Sequence, residues 1–251
     1  MQMWNLKQKV CDLRLDIACV KLGIASTRSK AHALIQKGKV CVNGTPCVKN
    51  AYKLGEQDKI TSLETTMFVS RAGEKLHYFL QECDGIDCKG KSALDIGAST
   101  GGFCEVLLQR GVESVVCVDV GSNQLHHSLR ENKRVKSYEK TDIRDFATIH
   151  KEKFEIVVCD VSFIRLKEIL DSIIALSSDK VILLFKPQFE VGREVKRNKK
   201  GVVQNAEAIK KSLENMLALL QKSGFRILEC RESKIKGKAG NVEFFIACKK
   251  S

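Results

Sequence analysis

The chain has 251 residues with 43 Lys and Arg against 30 Asp and Glu, a formal net charge of +13. That length holds one large domain and one small one, and that charge favours a polyanionic partner. No apolar run approaches a membrane span, and Lys and Asp interrupt the N-terminal region before a signal peptide's apolar block can form, so a cytoplasmic protein is expected.

Residues 12–24 carry Leu13, Leu15, Ile17, Val20, Leu22 and Ile24 and close on a turn at Gly23. Thr27 is a helix N-cap, and the helix after it runs through Ala31, Leu34 and Ile35 to Gly38. Residues 39–44 alternate as a strand and end on the turn pair Asn43-Gly44. No acid occurs over residues 26–52, whereas Arg28, Lys30, Lys37, Lys39 and Lys49 do, and over residues 1–62 eleven Lys and Arg face four Asp and Glu. Such a run is usually a solvated face; without compensating acids it points to phosphates. Aromatic residues are few, so base stacking is not the main mode.

Arg14-Leu15-Asp16, Leu22-Gly23, Thr27-Arg28-Ser29, Ala31, Ile35, Gly38, Val40, Val42, Asn43 and Gly44 resemble the αL-type RNA-binding domain of a small-subunit ribosomal protein and of pseudouridine synthases. The resemblance implies a small α+β module over residues 1–60 that turns Arg14, Arg28, Lys30, Lys37 and Lys39 toward RNA phosphates. Residues 61–69 are the expected linker.

From Ser70 the pattern changes. A helix over 71–80 is followed by strand 92–96, helix 102–110, strand 114–119, helix 123–131 and strand 134–139. A short helix near 143–149, strand 154–159, helix 164–176, strand 179–185, a basic loop at 191–200, helix 204–222 and strands 225–230 and 241–248 complete the series. Alternation of this kind predicts an α/β fold, a Rossmann-like doubly wound sheet whose ligands bind at the carboxyl ends of the strands.

Charged or flexible residues stand at nearly every such end. The first strand carries Asp95 and ends in Gly97, Ser99, Thr100, Gly101 and Gly102 before Phe103. Glycines let the backbone approach a ligand, and the following helix offers free N–H groups. Asp119 ends the second strand, placed for a ribose diol, and Asp142 follows the third, placed for an adenine amino group. Asp160 ends the fourth strand and Lys186 the fifth. Any one of these acids alone reads as an N-cap or a surface charge; the ordered set reads as a site. The turn is G-x-S-T-G-G and lacks the pyrophosphate fingerprint G-x-G-x-x-G, which favours S-adenosylmethionine over a dinucleotide.

Ser70-Arg71-Ala72-Gly73-Glu74-Lys75-Leu76, residues 94–103, Val118-Asp119-Val120-Gly121, Cys159-Asp160-Val161-Ser162-Phe163-Ile164, residues 185–192 and Asn241-Val242-Glu243-Phe244-Phe245 resemble the TlyA family. These are ribosomal RNA 2′-O-methyltransferases, historically called haemolysins and related to the FtsJ/RrmJ fold. The resemblance spans nearly the whole chain and implies a seven-stranded methyltransferase sheet over residues 70–251. It implies a catalytic Lys–Asp–Lys–Glu set at Lys75, Asp160, Lys186 and Glu243, and methylation of a cytidine ribose, favouring the large subunit. Asp142 stands where some relatives carry Asn.

The chemistry needs a weak hydroxyl nucleophile to be polarised and aligned. Lys186 is the candidate base, with Lys75 nearby disfavouring its protonated form; Asp160 and Glu243 oppose that, in which case Lys186 positions the hydroxyl instead. Two basic segments, with Arg193, Lys196 and Arg197 in one and Lys234, Lys236 and Lys238 in the other, would grip phosphates flanking the target. No metal is expected, because no His, Cys or Asp group has ligand spacing. The eleven cysteines, scattered singly without a CxxC pair, read as buried thiols rather than disulfides or zinc ligands. The expected partner is ribosomal RNA or a ribosomal subunit, and a monomer is expected. Two other readings compete: a non-catalytic ribosome-assembly protein on the same scaffold, and a membrane-active haemolysin.

Overall fold

The computed structural model describes residues 2–4, 12–22, 24–25, 27–62 and 68–251. Gly23 of the N-terminal motif and residues 63–67 of the expected linker lie outside the described residues. The chain divides into two compact units, Met1–Val69 and Ser70–Ser251.

The first unit holds β1 (Gln2–Trp4), α1 (Leu15–Lys21), α2 (Arg28–Gln36), β2 (Val40–Val42), β3 (Thr45–Pro46) and β4 (Ile60–Ser62). The strands pair antiparallel in the order β1-β4-β2-β3. Thr27 caps α2 by accepting from the Lys30 N–H at 3.3 Å. Asn43 and Gly44 both take positive φ, +53° and +81°, which matches the twist of the β2–β3 hairpin. Leu15, Ala18, Ile24, Ala31, Ile35, Val40 and Ile60 form its core. The sheet runs to Ser62, two residues past the expected boundary.

The second unit begins with α3 (Arg71–Glu82), β5 (Ser92–Ile96), α4 (Gly102–Gln109), β6 (Ser114–Val118), α5 (His127–Arg130), β7 (Val135–Tyr138), α6 (Ile143–Ile149) and β8 (Phe154–Cys159). It continues through α7 (Leu170–Leu176), β9 (Ser177–Phe185), α8 (Pro187–Glu190), α9 (Ala206–Lys222), β10 (Phe225–Glu232) and β11 (Phe244–Lys250). Seven strands lie in the order β10-β11-β9-β8-β5-β6-β7. β5 to β9 are parallel and β11 is antiparallel to both neighbours. This is the doubly wound sheet that the alternation predicts, with one reversed strand.

Three expected elements differ. The helix over 123–131 contracts to α5, because the Glu139 carboxylate takes the N–H groups of Asn123, Gln124 and Leu125 at 2.7, 3.0 and 3.4 Å and holds them as a loop. The helix over 164–176 splits into a 3₁₀ turn at Leu166–Glu168 and α7, where Glu190 accepts from the Leu166 N–H at 2.8 Å. The last strand starts at Phe244 rather than 241. All ten described cysteines are free thiols, eight of them buried.

Aromatic packing fixes α3 and α4 over the sheet. Phe245 of β11 stacks on Phe79 of α3 at 4.6 Å between ring centroids and on Phe103 of α4 at 6.1 Å. Leu76, Phe79 and Leu80 bury the inner face of α3, and Lys75 lies on that buried side.

Candidate active site

The antiparallel run of β11 brings the two ends of the chemistry together. A parallel strand delivers its last residue to the carboxyl edge of the sheet; an antiparallel strand delivers its first. Phe244 pairs with Phe185, so Glu243, just before β11, arrives beside Lys186, just after β9. Asp160 reaches the same edge at the end of β8. Lys75 comes from the packed face of α3.

The four residues meet as two ion pairs. Lys75 Nζ donates to Glu243 Oε2 at 2.6 Å, and Lys186 Nζ lies 2.6 Å from Asp160 Oδ1. None of the four side chains is more than 14% exposed. Lys186 also donates to Ser162 Oγ at 2.9 Å, and Gln188 Nε2 donates to Glu243 Oε1 at 3.3 Å. Each lysine therefore has its own carboxylate, and the charges at the centre balance.

Beside them runs a groove made of two clefts of 350 and 190 Å³ that share Gly97, Ser99, Asp160 and Ser162. The glycine turn supplies its floor. Gly97, Ser99 and Gly101 take φ of +79°, +47° and +91°. Alternation with left-handed residues turns successive N–H groups to one side. A side chain at Gly97 would come within 2.8 Å of the Asp160 carbonyl, so only glycine lets the ends of β5 and β8 approach this closely. Gly102 serves helix packing instead, since a Cβ there would collide with Ser70 Oγ at the start of α3. Gly101 faces away from the groove, toward Leu125 and Leu129, so its missing side chain makes room for packing.

Asp119 accepts from the Ser99 and Gly121 N–H groups at 2.8 and 2.7 Å and lines the larger cleft. Asp142 lines it too, while capping α6 and holding Arg144 through both carboxylate oxygens at 2.9 and 2.7 Å. Val118, Val120, Ile143 and Ile164 make the apolar walls. Thr100 and Phe103 line the smaller cleft. Asp95 lines it as well and is fully buried; Oδ2 accepts from the Cys104 N–H at 2.9 Å, and Oδ1 has no partner. Burial, offset in part by that N–H and reinforced by the charges of Asp160 and Asp119, pushes its carboxyl up from 3.8 to about 8. A buried acid that lines a cleft and has one oxygen unpaired is suited to a cationic ligand group.

The expected RNA contacts divide. In the first unit the fully buried Asp16 gathers Arg14, Arg28 and His32 at 3.1, 2.8 and 2.7 Å. Burial works against its charge, but the hydrogen bonds from those three groups outweigh it and hold the carboxyl well below the usual range. Lys30 Nζ donates to the carbonyls of Phe68 and Val69 at 2.9 and 2.7 Å. Lys37 is exposed and Lys39 half-buried. In the second unit Arg193 and Lys196 are exposed, whereas Arg197 gives its guanidinium to the carbonyls of Gln188, Gly192, Arg193 and Val195. Arg197 thus shapes the basic loop from within.

Two features have no role that the sequence alone reveals. Phe163 is 91% exposed at φ +68°, on the rim of the larger cleft, beside Phe189 at 5.1 Å. An exposed aromatic in a strained backbone three residues after Asp160 is a signal only once exposure is known. Gln188 stands in the motif after β9, but its contact with Glu243 depends on the fold. Among the described residues no group of three or more His, Cys, Asp or Glu could hold a metal ion, and no helix is long and apolar enough to cross a membrane.

The chain is similar to known proteins over nearly its whole length. The model of the FtsJ-like methyltransferases matches residues 68–250, and that of the S4 domain matches residues 13–60. The chain is 41% identical over 237 residues to a 23S rRNA (cytidine-2′-O)-methyltransferase, TlyA, of Campylobacter jejuni, covering 87% of this chain and 92% of that protein. It is 38% identical to Hemolysin A of Brachyspira hyodysenteriae, covering 92% and 98% of the two chains. A solved structure from Streptococcus thermophilus, described as a hemolysin, superposes with a TM-score of 0.71 at 35% identity, covering 95% of this chain and 88% of the other.

Proposed function

The chain belongs to the FtsJ-like methyltransferase family, and from that premise we propose that it transfers a methyl group from S-adenosylmethionine to the 2′-hydroxyl of a cytidine ribose in ribosomal RNA, with the large subunit as its preferred target. The observation that carries this reading is the pairing of Lys186 with Asp160 on the lining of the glycine-lined groove, with the Lys75–Glu243 pair set next to it by the register of β11 on β9.

The groove's residues suit the cofactor. Asp119 would hold the ribose diol, Asp142 the adenine edge, the apolar walls the adenine faces, and the N–H groups of the glycine turn with the bare Asp95 oxygen the amino-acid part. S-adenosylmethionine supplies an electrophilic methyl on a sulfonium. Lys186 would hold the ribose oxygen in line with it, with Asp160 and Ser162 fixing the direction of Lys186; as the oxygen takes the methyl the sulfonium would leave as a neutral thioether and the hydroxyl proton would pass to water. The Lys75–Glu243 pair bounds the site on the other side and keeps it free of net charge. Phe163 offers a bare ring for a splayed-out base, and the exposed cations of residues 193–200 track the flanking phosphates. The first unit adds affinity through its basic face. Nothing in this arrangement calls for a second copy, and a monomer acting in the cytoplasm fits it.

The test is Lys186→Ala assayed on ribosomal RNA and on isolated subunits with labelled cofactor. Methyl transfer should fall on the order of 10²–10⁴-fold while RNA binding persists. Transfer at the wild-type rate would remove Lys186 from the chemistry. A wild-type chain that binds ribosomal RNA but never methylates it would leave the ribosome-assembly reading.

A further inference from the structure

We propose that Asn241 is a positioning residue that fastens the basic loop over residues 192–204 to the Glu243 carboxylate, so that RNA seated on the loop sets the Lys75–Glu243 pair; this rests on the rRNA methyltransferase reading above. Asn241 lies two residues before Glu243 and is 4% exposed. Its side-chain oxygen accepts from the Val203 N–H at 3.0 Å, and its side-chain nitrogen donates to the Gly201 carbonyl at 3.4 Å. The partners fix the orientation of the amide, since one is a donor and the other an acceptor.

The same residue reaches Glu243 by its main chain. Gly237 N–H donates to the Asn241 carbonyl at 2.8 Å. Gly237 in turn lies directly on the carboxylate: a Cβ there would stand 2.5 Å from Glu243 Oε1. Ser233 N–H donates to the Glu243 carbonyl at 2.8 Å. Glu243 is thus enclosed by Lys75, Gln188 and Gly237, and two of those enclosing segments are tied to the loop. One tie is Asn241. The other is Arg197, which donates to the Gln188 carbonyl at 3.4 Å, while Arg197 and Val203 form a β-bridge across the loop.

Hydrogen bonds thus join the loop that carries the exposed Arg193, Lys196, Lys199 and Lys200 to the segments around the Glu243 carboxylate. The loop is fastened at Arg197 and at Gly201 and Val203 to the cage around Glu243, so displacing it displaces the cage. A buried amide with both partners in place is costly to misplace, which is what such a coupling requires.

Asn241→Ala and Asn241→Asp in the full chain test this. Alanine removes both bonds; aspartate keeps the acceptor for Val203 and sets an oxygen against the Gly201 carbonyl. Amide hydrogen exchange is read at Val203, at Ser233 as the reporter of Glu243, and at Leu220 in α9 as the control. In Asn241→Ala, Val203 and Ser233 should exchange roughly tenfold faster with Leu220 unchanged. The kcat on ribosomal RNA should fall about tenfold or more while cofactor affinity stays within about twofold. Asn241→Asp should restore protection at Val203 but not kcat. Faster exchange at Val203 with Ser233 and kcat unchanged would overturn the coupling, as would loss of protection at Leu220 together with the others. Should the wild-type chain fail to methylate RNA, the functional reading falls, and Ser233 exchange alone still decides the coupling.

Discussion

Removing one member of the Lys75–Glu243 pair should cost more than removing both. Glu243→Gln leaves the Lys75 ammonium, 10% exposed, facing a neutral amide; Lys75→Met leaves the Glu243 carboxylate, 3% exposed, with Gln188 as its remaining side-chain donor. Breaking a buried pair from one side typically costs about 3–5 kcal/mol, whereas replacing both charges is often neutral. In a domain of this size 1 kcal/mol moves the melting temperature by roughly 2–4 °C, so each single variant should melt about 6–20 °C lower. The double variant should recover at least about half of that. Calorimetry of the full chain reads this, the relevant transition being the one that rises when cofactor is added. Methyl transfer should be lost in all three variants, which separates catalysis from folding. If the two single losses simply add in the double variant, the pair is not coupled and the 2.6 Å contact contributes nothing.

Three further outcomes follow from other sites. Because the Asp95 carboxyl is raised from 3.8 to about 8, its contribution to stability is fully present below about pH 4 and declines as pH climbs toward 8, where the unfolded chain ionises first. A cationic ligand group beside Oδ1 would favour the carboxylate, so cofactor binding at pH 7 should expel up to one proton. Calorimetry in buffers of different ionisation heat measures this, and buffer-independent heat, or release that survives Asp95→Asn, would contradict it. Asp16→Asn removes a negative charge, and charge counting predicts tighter RNA binding; the gathering of Arg14, Arg28 and His32 on that carboxylate predicts weaker binding, by on the order of 1 kcal/mol. Filter binding at fixed salt decides between the two. Gly101→Ala places a methyl group against Leu125 and Leu129 at φ +91° and should cost about 2–4 kcal/mol of stability. Cofactor affinity at a temperature where the variant is folded should change little; lost affinity at an unchanged melting temperature would mean that Gly101 faces the ligand.

Much of this is legible without coordinates, and the reasons are local. Asp119, Asp142 and Asp160 can be placed at strand ends because helix and strand periodicities alternate cleanly from Ser70 onward. Lys75, Lys186 and Glu243 can be placed because their flanking motifs are short and intact. Which lysine takes which carboxylate cannot be read, since it depends on the direction of β11 and the register of Phe244 on Phe185. The same holds for Gly101: that a glycine is needed follows from the turn, but the direction of its missing side chain follows from Leu125 and Leu129, more than twenty residues away. Arg14, Arg28 and Arg197 show their charge in the sequence and conceal their partners, one a single buried acid and the other a set of backbone carbonyls. The loop that replaces the start of the expected helix at 123–131 is set by Glu139, a contact across fourteen to sixteen residues that no periodicity reports.

The reversed strand has a consequence for how the molecule comes into being. β11 is made after every other strand of its sheet, yet it slots between β9 and β10, and the residue just before it pairs with Lys75. Until that segment is made, Lys75 has no Glu243 to pair with, and α3 and α4 have no Phe245 to pack against. The centre of four charges is therefore completed only by the last strand of the sheet to be synthesised, which ties the assembly of the site to the final step in building the sheet.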